Sequence, residues 1–274
     1  MSHSDEFIDA MRTQGLAMHR NELMADGLLH RYRVEGDKPG SLNGWYVLDL
    51  SHPAHGAFGS WKTGQSVSWC PAHQTAMSEN DRRALARRQA ATRAARYADQ
   101  VAMQKSAQNR AAKLWEAAKP AKNKHPYLLR KGVGAFGIRQ MGDRLVIPLR
   151  DDCGAIWSIQ FIDSGGGKRF LSGGRKKGCY FSIGEPRDAL CICEGYATGA
   201  SVYMSTGHAT AIAFDAGNLA SVAAAMRKKF PELKIIIVAD YDADTEGNPG
   251  MTYALDAARA IGALVAFPIF EVAI

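Results

Sequence analysis

The sequence lacks the signatures of membrane and secreted proteins. No apolar run approaches the roughly 20 residues that a transmembrane helix needs. The opening segment MSHSDEFIDA is polar and acidic, unlike a secretory signal. Five cysteines in 274 residues are an odd number, and they do not suggest a disulfide framework. We therefore expect a reduced, cytoplasmic protein that does not associate with membranes.

Motifs of several enzyme classes are also missing. GGGKRF and GGRKKG lack the spacing of G-x-x-x-x-G-K-[ST], so the chain has no P-loop. No G-x-G-x-x-G opens a first strand-to-helix turn, which excludes a dinucleotide-dependent dehydrogenase. Metal-free acyl transfer is excluded too, since no Ser or Cys stands beside a suitable His at a strand-to-helix elbow.

Positive charge is in moderate excess, with 34 Lys and Arg against 27 Asp and Glu and a net charge of +7. Such a balance weakly favours polyanionic partners. Shifts in composition predict four segments: a small N-terminal α+β domain at 1–75, a basic helical linker at 76–124, a basic β-rich lobe at 125–188, and an α/β domain at 189–274.

The first two segments each admit two interpretations. The aromatic residues of the first form either a sheet core or a platform on which unpaired bases stack: Tyr32, Trp45, Tyr46, Phe58, Trp61 and Trp69. The composition of the second segment predicts one long helix, or two. The helical region begins at a capping-box-like pair, Ser78 and Asp81, and ends at Pro120. Such a helix either links domains at the surface or lies along a phosphate backbone.

The last segment alternates apolar strands with helices. The strands are contained in LCICE, HATAIAF, KIIIVAD and GALVAFPIF. Near-continuous apolar strands between helices predict a parallel sheet that is covered on both faces. Upstream, RLVIPLR and GAIWSIQFI predict a hairpin around the turn DDCG.

Carboxylates follow two of these strands. Glu194 comes at the end of LCIC, and Asp240, Asp242 and Asp244 follow IIIVA at alternate positions. Ligands of open parallel sheets bind beyond the carboxyl ends of the strands. If the two strands are neighbours, the carboxylates converge, and their like charges require a cation. Hard oxygen ligands at such an edge suit Mg²⁺ or Mn²⁺ together with substrate phosphates.

This pattern of E-G-Y after one apolar strand and D-x-D after another resembles the Toprim domain. That domain occurs in bacterial DNA primases, type IA and II topoisomerases and some nucleases. With RLVIPLRDDCGAIWSIQFI, KRFLSGG, EGYATG and DAGNL in this order, residues 125–270 are similar to the catalytic core of primases of plasmids, prophages and integrating elements. The resemblance implies a Rossmann-like parallel sheet preceded by a basic strand subdomain.

The resemblance also implies roles for individual residues. It makes Glu194 the Toprim glutamate, acting at the metal centre and as a general acid or base. Asp240 and Asp242 become the metal-binding pair, and Asp244 a helper. Lys168 and Arg169 match a basic position near nucleotide or template, and the same surface is expected to include Arg144, Arg175, Lys176 and Lys177.

The activity that the resemblance implies is template-directed primer synthesis from nucleoside triphosphates on single-stranded DNA, with a replicative helicase fused or recruited. The alternatives are a Toprim nuclease and a non-catalytic DNA-binding module of a larger replication complex. The sequence departs from the pattern of bacterial primases in two places. ADTEGNPG follows the D-x-D where bacterial primases have a short R-A-G, and the Cys-rich pattern of the family's zinc ribbon is absent. A zinc site is compatible with spacing alone at His52, His55, Cys70 and His73.

Overall fold

The computed structural model describes residues 2–19, 23–71, 78–240 and 249–267. The chain forms two compact units, residues 1–101 and residues 102–274. In the described ranges, the first unit contains one antiparallel sheet, and the second contains an antiparallel sheet followed by a mixed one.

A helix and a small sheet build the first unit. Helix α1 (His3–Thr13) begins at a capping box, in which the hydroxyl of Ser2 accepts from the backbone N–H of Asp5 and the carboxylate of Asp5 accepts from that of Ser2. The sheet is antiparallel and runs in chain order: β1 (His30–Tyr32), β2 (Gly44–Asp49), β3 (His55–Ser60) and β4 (Ser66–Trp69). The predicted α+β class of this segment is confirmed.

Aromatic side chains form the core of this unit. Phe7 of α1 packs edge-on against Phe58, with ring centroids 5.4 Å apart. The interpretation as a core is confirmed for the four residues that are at most 6% exposed: Tyr32, Trp45, Tyr46 and Phe58. Because these rings are buried, they offer no face to a base. Trp61 and Trp69 are half-buried.

Residues 79–117 form one long helix rather than two. Helix α2 (Glu79–Ala117) begins where the hydroxyl of Ser78 accepts from the backbone N–H of Asp81 and the carboxylate of Asp81 accepts from that of Ser78. The predicted capping box is confirmed. Its fully buried side chains are the small Ala107 and Ala111, so most of the helix is solvated. Within the described parts of the chain, neither this helix nor another is long and apolar enough to cross a bilayer.

The basic lobe is an antiparallel sheet with one short helix. Its strands pair in chain order, and helix α3 (Pro126–Lys131) lies between the first two: β5 (Lys119–Pro120), β6 (Arg139–Met141), β7 (Arg144–Arg150), β8 (Ile156–Ile162) and β9 (Lys168–Phe170). Strands β7 and β8 are the hairpin that the sequence predicts around DDCG.

The second sheet of this unit has the spatial order β10-β12-β11-β13-β14, with β10 antiparallel and the others parallel. Its elements are β10 (Phe181–Ile183), β11 (Ala189–Cys193), α4 (Tyr196–Thr206), β12 (Ala209–Ile212), α5 (Ala216–Lys229), β13 (Lys234–Val238), α6 (Pro249–Ile261) and β14 (Leu264–Ala266). The predicted parallel α/β sheet is confirmed. Strand β10 precedes the boundary that we predict at residue 189, yet it pairs with β12.

Helices cover both faces of this sheet. Helices α5 and α6 pack with Leu190 and Ile192. Helix α4 packs on the other face, where a Cβ at Gly199 would lie 2.8 Å from Cγ1 of Ile212. This close approach requires glycine. Buried side chains of α4 also share a core with the basic lobe, because Tyr196 and Ala200 cluster with apolar residues of β7.

Candidate active site

Two predicted carboxylates lie at the same edge of the parallel sheet. Strands β11 and β13 are hydrogen-bonded neighbours, with Cys193 opposite Val238. Glu194 is the first residue after β11, and Asp240 is the second after β13. Both therefore leave from the carboxyl ends of adjacent parallel strands, which is the arrangement we predict. Asp242 and Asp244 lie outside the described residues.

The chain leaves these two strands in opposite directions. After β11 it enters α4 on one face of the sheet, and after β13 it continues to α6 on the other face. A crevice opens at the carboxyl edge of an α/β sheet where consecutive connections diverge in this way, and ligands bind there. Glu194 and Asp240 are both half-buried at this point.

The first turn of α4 connects the two strand ends. The hydroxyl of Thr198 donates a 3.2 Å hydrogen bond to Oδ1 of Asp240. A Cβ at Gly195 would lie 3.6 Å from Nζ of Lys168 and 3.8 Å from Oγ1 of Thr198. The amine of Lys168, on the exposed strand β9, thus lies beside Gly195, which follows Glu194 and precedes α4. The partial positive charge of a helix N-terminus and this amine both favour a phosphate here.

A second predicted cation lies at the end of β12. Lys176 forms an ion pair with Asp215, the N-cap residue of α5. Its Nζ also lies 4.9 Å from the centroid of the Phe170 ring. Phe214 contacts the edge of that ring and has a φ of 74°, a left-handed conformation that is costly for an aromatic residue. The segment AFDAGNL therefore contains a strained strand-to-helix turn at Phe214.

Two predicted arginines are engaged with protein groups. Arg175 stacks on Trp157 at 3.9 Å and pairs with Asp151 at 3.2 Å. Asp151 also accepts from Nε1 of Trp157 at 2.6 Å, so this cluster stabilises the β7–β8 turn. Arg144 lies over Phe161 at 5.3 Å and is otherwise exposed. Arg169 and Lys177 are exposed. A role in nucleotide or DNA binding stays a prediction for all of them.

Asn218 belongs to the DAGNL motif, which we interpret from sequence as a loop lining the site from Asp215 to Asn218, but the sequence does not predict its burial or its contacts. It is 3% exposed and lies in the first turn of α5. Its amide nitrogen donates to the carbonyls of Cys179 at 2.9 Å and Ala213 at 2.8 Å. Its amide oxygen accepts from the N–H of Gly178 at 2.8 Å. Asn218 therefore holds the end of the basic loop RKKG against the end of β12.

Tyr196 of the E-G-Y motif is a second buried polar residue whose contacts the sequence does not predict. It is fully buried, and its hydroxyl donates to the carbonyl of Gly134 and accepts from the N–H of Phe136, each at 2.8 Å. Burial raises its pKa, so the phenol stays neutral. The ring anchors the start of α4, and with it Glu194, to the basic lobe. The motif signals that the position is special, but not which partners it has.

Replacing Tyr196 with Phe is expected to lower the free energy of unfolding by about 1–2 kcal/mol, because two buried polar groups lose their partner while the ring remains. Urea denaturation of both proteins measures this. The matched control is Tyr253→Phe, because Tyr253 is 50% exposed on α6. That change should stay within about 0.5 kcal/mol. Equal losses in both variants would contradict the anchoring role.

The cysteines of β11 serve as core side chains. Cys191 and Cys193 are 3% and 0% exposed. Burial is the main reason why the pKa of the Cys193 thiol is raised well above its usual range, and the neighbouring Cys191 and Asp240 raise it further. A thiol of this kind stays protonated, so it is neither a nucleophile nor a metal ligand at neutral pH. Cys191 and Cys193 therefore fill the core beneath the site.

Other groups of potential metal ligands do not form a convincing centre. In the described ranges, the ligand atoms of Asp151, Asp152 and Cys153 converge. However, Asp151 is already bonded to Trp157 and Arg175, and the other two are exposed. The described members of the zinc proposal, His52, His55 and Cys70, are not brought together as a ligand group, and His73 lies outside the described residues.

A family match covers most of this sheet. Residues 188–267 match the family described as Toprim domain, and they form the parallel sheet that carries Glu194 and Asp240. The chain therefore contains a Toprim domain, as its resemblance implies.

Nearly the whole chain is similar to proteins named DNA primase TraC from Escherichia coli. One is 38% identical, over 98% of this chain and 20% of its own length. Another is 36% identical, over 97% of this chain and 26% of its own length. The chain thus spans about a fifth to a quarter of these relatives. The primase fragment of the bacteriophage T7 primase-helicase protein is 15% identical, with a TM-score of 0.41 over 57% of this chain and 72% of that one.

Proposed function

We propose that the chain synthesises short primers on single-stranded DNA by metal-dependent nucleotidyl transfer. The observation that carries this proposal is the placement of Glu194 and Asp240 at the carboxyl ends of adjacent strands, beside the amine of Lys168. The match to the Toprim domain and the similarity to two DNA primases support it.

The carboxylates would hold Mg²⁺ or Mn²⁺. Glu194 and Asp240 supply hard oxygen ligands, with Asp242 and Asp244 following in sequence. These residues fit a divalent cation because both carboxylates are half-buried at one edge of the sheet. Two like charges in such a position are costly unless a cation neutralises them. Bound metal would stabilise the negative charge that develops on the phosphoryl oxygens. Glu194 would also act as a general acid or base.

Basic residues would orient the substrates. In the reaction, the 3′-hydroxyl of one nucleotide attacks the α-phosphate of the next, one P–O bond forms, and the bond to pyrophosphate breaks. Lys168 and Lys176, whose amines lie near the residues that follow β11 and β12, would bind the triphosphate. Arg169 and Lys177 would extend this surface to the template, with Arg144 and Arg175 at its margin.

A replicative helicase is the partner that this function requires, because primers are made on unwound DNA. It would be fused to this segment or recruited, and the greater length of the relatives leaves room for further domains in such an assembly. We propose a role in plasmid, phage or integrating-element replication, by similarity to the primases of such elements.

Primer synthesis is tested directly with labelled nucleoside triphosphates on mixed-sequence single-stranded templates, in Mg²⁺, Mn²⁺ or EDTA. We expect short products that require both template and metal. Metal-dependent loss of the template without synthesis would replace the proposal with a Toprim nuclease. Neither activity, with DNA still bound, would indicate a non-catalytic binding module.

A further inference from the structure

A pocket of about 120 Å³ opens in the first unit, between the sheet and helix α2. One wall is the face of β2, β3 and β4 opposite α1, and the other is the basic first half of α2. The pocket is large enough to receive a phosphate group. Its lining residues are Val47, His55, Gly56, Ala57, Ser66, Ser68, Gln89, Thr92, Arg93 and Arg96.

Most polar side chains in this lining can donate hydrogen bonds. Two guanidinium groups, three hydroxyls, one amide and the imidazole of His55 come together, and no carboxylate of the described residues lines the pocket. The nearby acidic residues are engaged elsewhere. Asp49 pairs with Arg88 at 3.5 Å, and Asp99 pairs with Arg31 at 2.8 Å. Among the described residues, no anionic side chain therefore balances the positive charge at the pocket.

Arg96 is held rigidly at one wall of the pocket. Its guanidinium stacks on the buried ring of Trp45 at 3.7 Å, and one nitrogen lies 3.4 Å from the hydroxyl of Ser66. Its Nε is buried and has no hydrogen-bond partner among the residues that the structure describes. A planar guanidinium fixed by stacking is pre-organised to bind an oxyanion, since little side-chain entropy remains to be lost.

The positive charges of Arg93 and Arg96 repel each other in the absence of a counter-ion. Burial is the main cause that lowers the pKa of Arg96, and the positive charge of Arg93 lowers it further. A group carrying two or more acceptor oxygens would satisfy both guanidinium groups through charge-assisted hydrogen bonds. The hydroxyls of Ser66, Ser68 and Thr92 would donate the remaining bonds.

We propose that this pocket binds a phosphate group, either of the single-stranded DNA backbone or of a nucleotide. It lies in a different unit of the chain from Glu194 and Asp240, so it adds a phosphate contact beyond the proposed site of synthesis. Arg93 and Arg96 provide the charge, and the lining hydroxyls provide directional donors.

The test uses the full chain in EDTA, so that metal-dependent binding at the carboxylates does not contribute. The affinity for a fluorescent oligothymidylate is measured by anisotropy at several salt concentrations. Arg93→Gln is expected to weaken binding about tenfold and to reduce the slope of log K against log salt by about 0.7. Ser68→Asp, which places a carboxylate in the lining, should do the same.

The matched control is Arg87→Gln, an exposed arginine of the same helix that does not line the pocket. A second measurement titrates ATP and inorganic phosphate by calorimetry. Loss of ATP binding in Arg93→Gln, with DNA binding unchanged, would identify a nucleotide phosphate as the ligand. Equal effects of Arg87→Gln and Arg93→Gln, or no effect on either ligand, would overturn the proposal.

Discussion

Primer synthesis is expected to fall by roughly 10²–10³-fold or more when Glu194 is replaced by Gln or Asp240 by Asn. Each change keeps the shape of the side chain and removes the negative charge that would hold the cation. The folded protein should persist, because both carboxylates are half-buried at the sheet edge rather than part of the core. DNA affinity in EDTA should stay within about twofold, because neither change removes a positive charge.

The control for these variants is Glu232→Gln. Glu232 is exposed and precedes β13, at the opposite edge of the same sheet. Its synthesis should equal that of the wild type. Synthesis that survives in Glu194→Gln and Asp240→Asn would remove these residues from the reaction. A loss of DNA binding as large as the loss of synthesis would assign them to binding instead.

The arrangement of the sheet is predictable from sequence because its signals are local. Leu190 to Cys193 and Ile235 to Val238 are apolar on both faces, as buried parallel strands require. The position of Glu194 and Asp240 directly after such strands then indicates one edge of the sheet. Their convergence depended on β11 and β13 being neighbours, and the pairing of the two strands supplies that condition.

The supporting contacts are not predictable in this way, because they join residues far apart in the chain. Tyr196 bonds to Gly134, 62 residues away, and Asn218 bonds to Gly178, 40 residues away. Periodicity does not report which buried polar group meets which carbonyl. Arg175 illustrates the same limit, since its stacking on Trp157 depends on how the hairpin folds back. The sequence shows that Arg175 is charged but not that it stacks on Trp157 and pairs with Asp151.

Asn218 is expected to be the most sensitive of these supporting residues. Asn218→Ala leaves two carbonyls and one N–H without their buried partner, and each such loss costs about 1–3 kcal/mol. Because the losses overlap, we expect a total of about 3 kcal/mol or more. This corresponds to a drop in melting temperature of roughly 6–12 °C for a unit of this size, measured by calorimetry or circular dichroism.

Asn109→Ala is the matched control, since Asn109 is exposed on α2 and its replacement should change stability by less than about 0.5 kcal/mol. Asn218→Asp separates the two halves of the contact. Aspartate keeps an acceptor for the N–H of Gly178 but turns a carboxylate towards the carbonyls of Cys179 and Ala213, so it should destabilise at least as much as alanine. If Asn218→Asp instead melts like the wild type, the donated bonds are dispensable, and the basic loop is held by Lys176 and Asp215. If it melts like Asn218→Ala with a raised KM for nucleotide, the amide positions Lys176 and Lys177 for substrate.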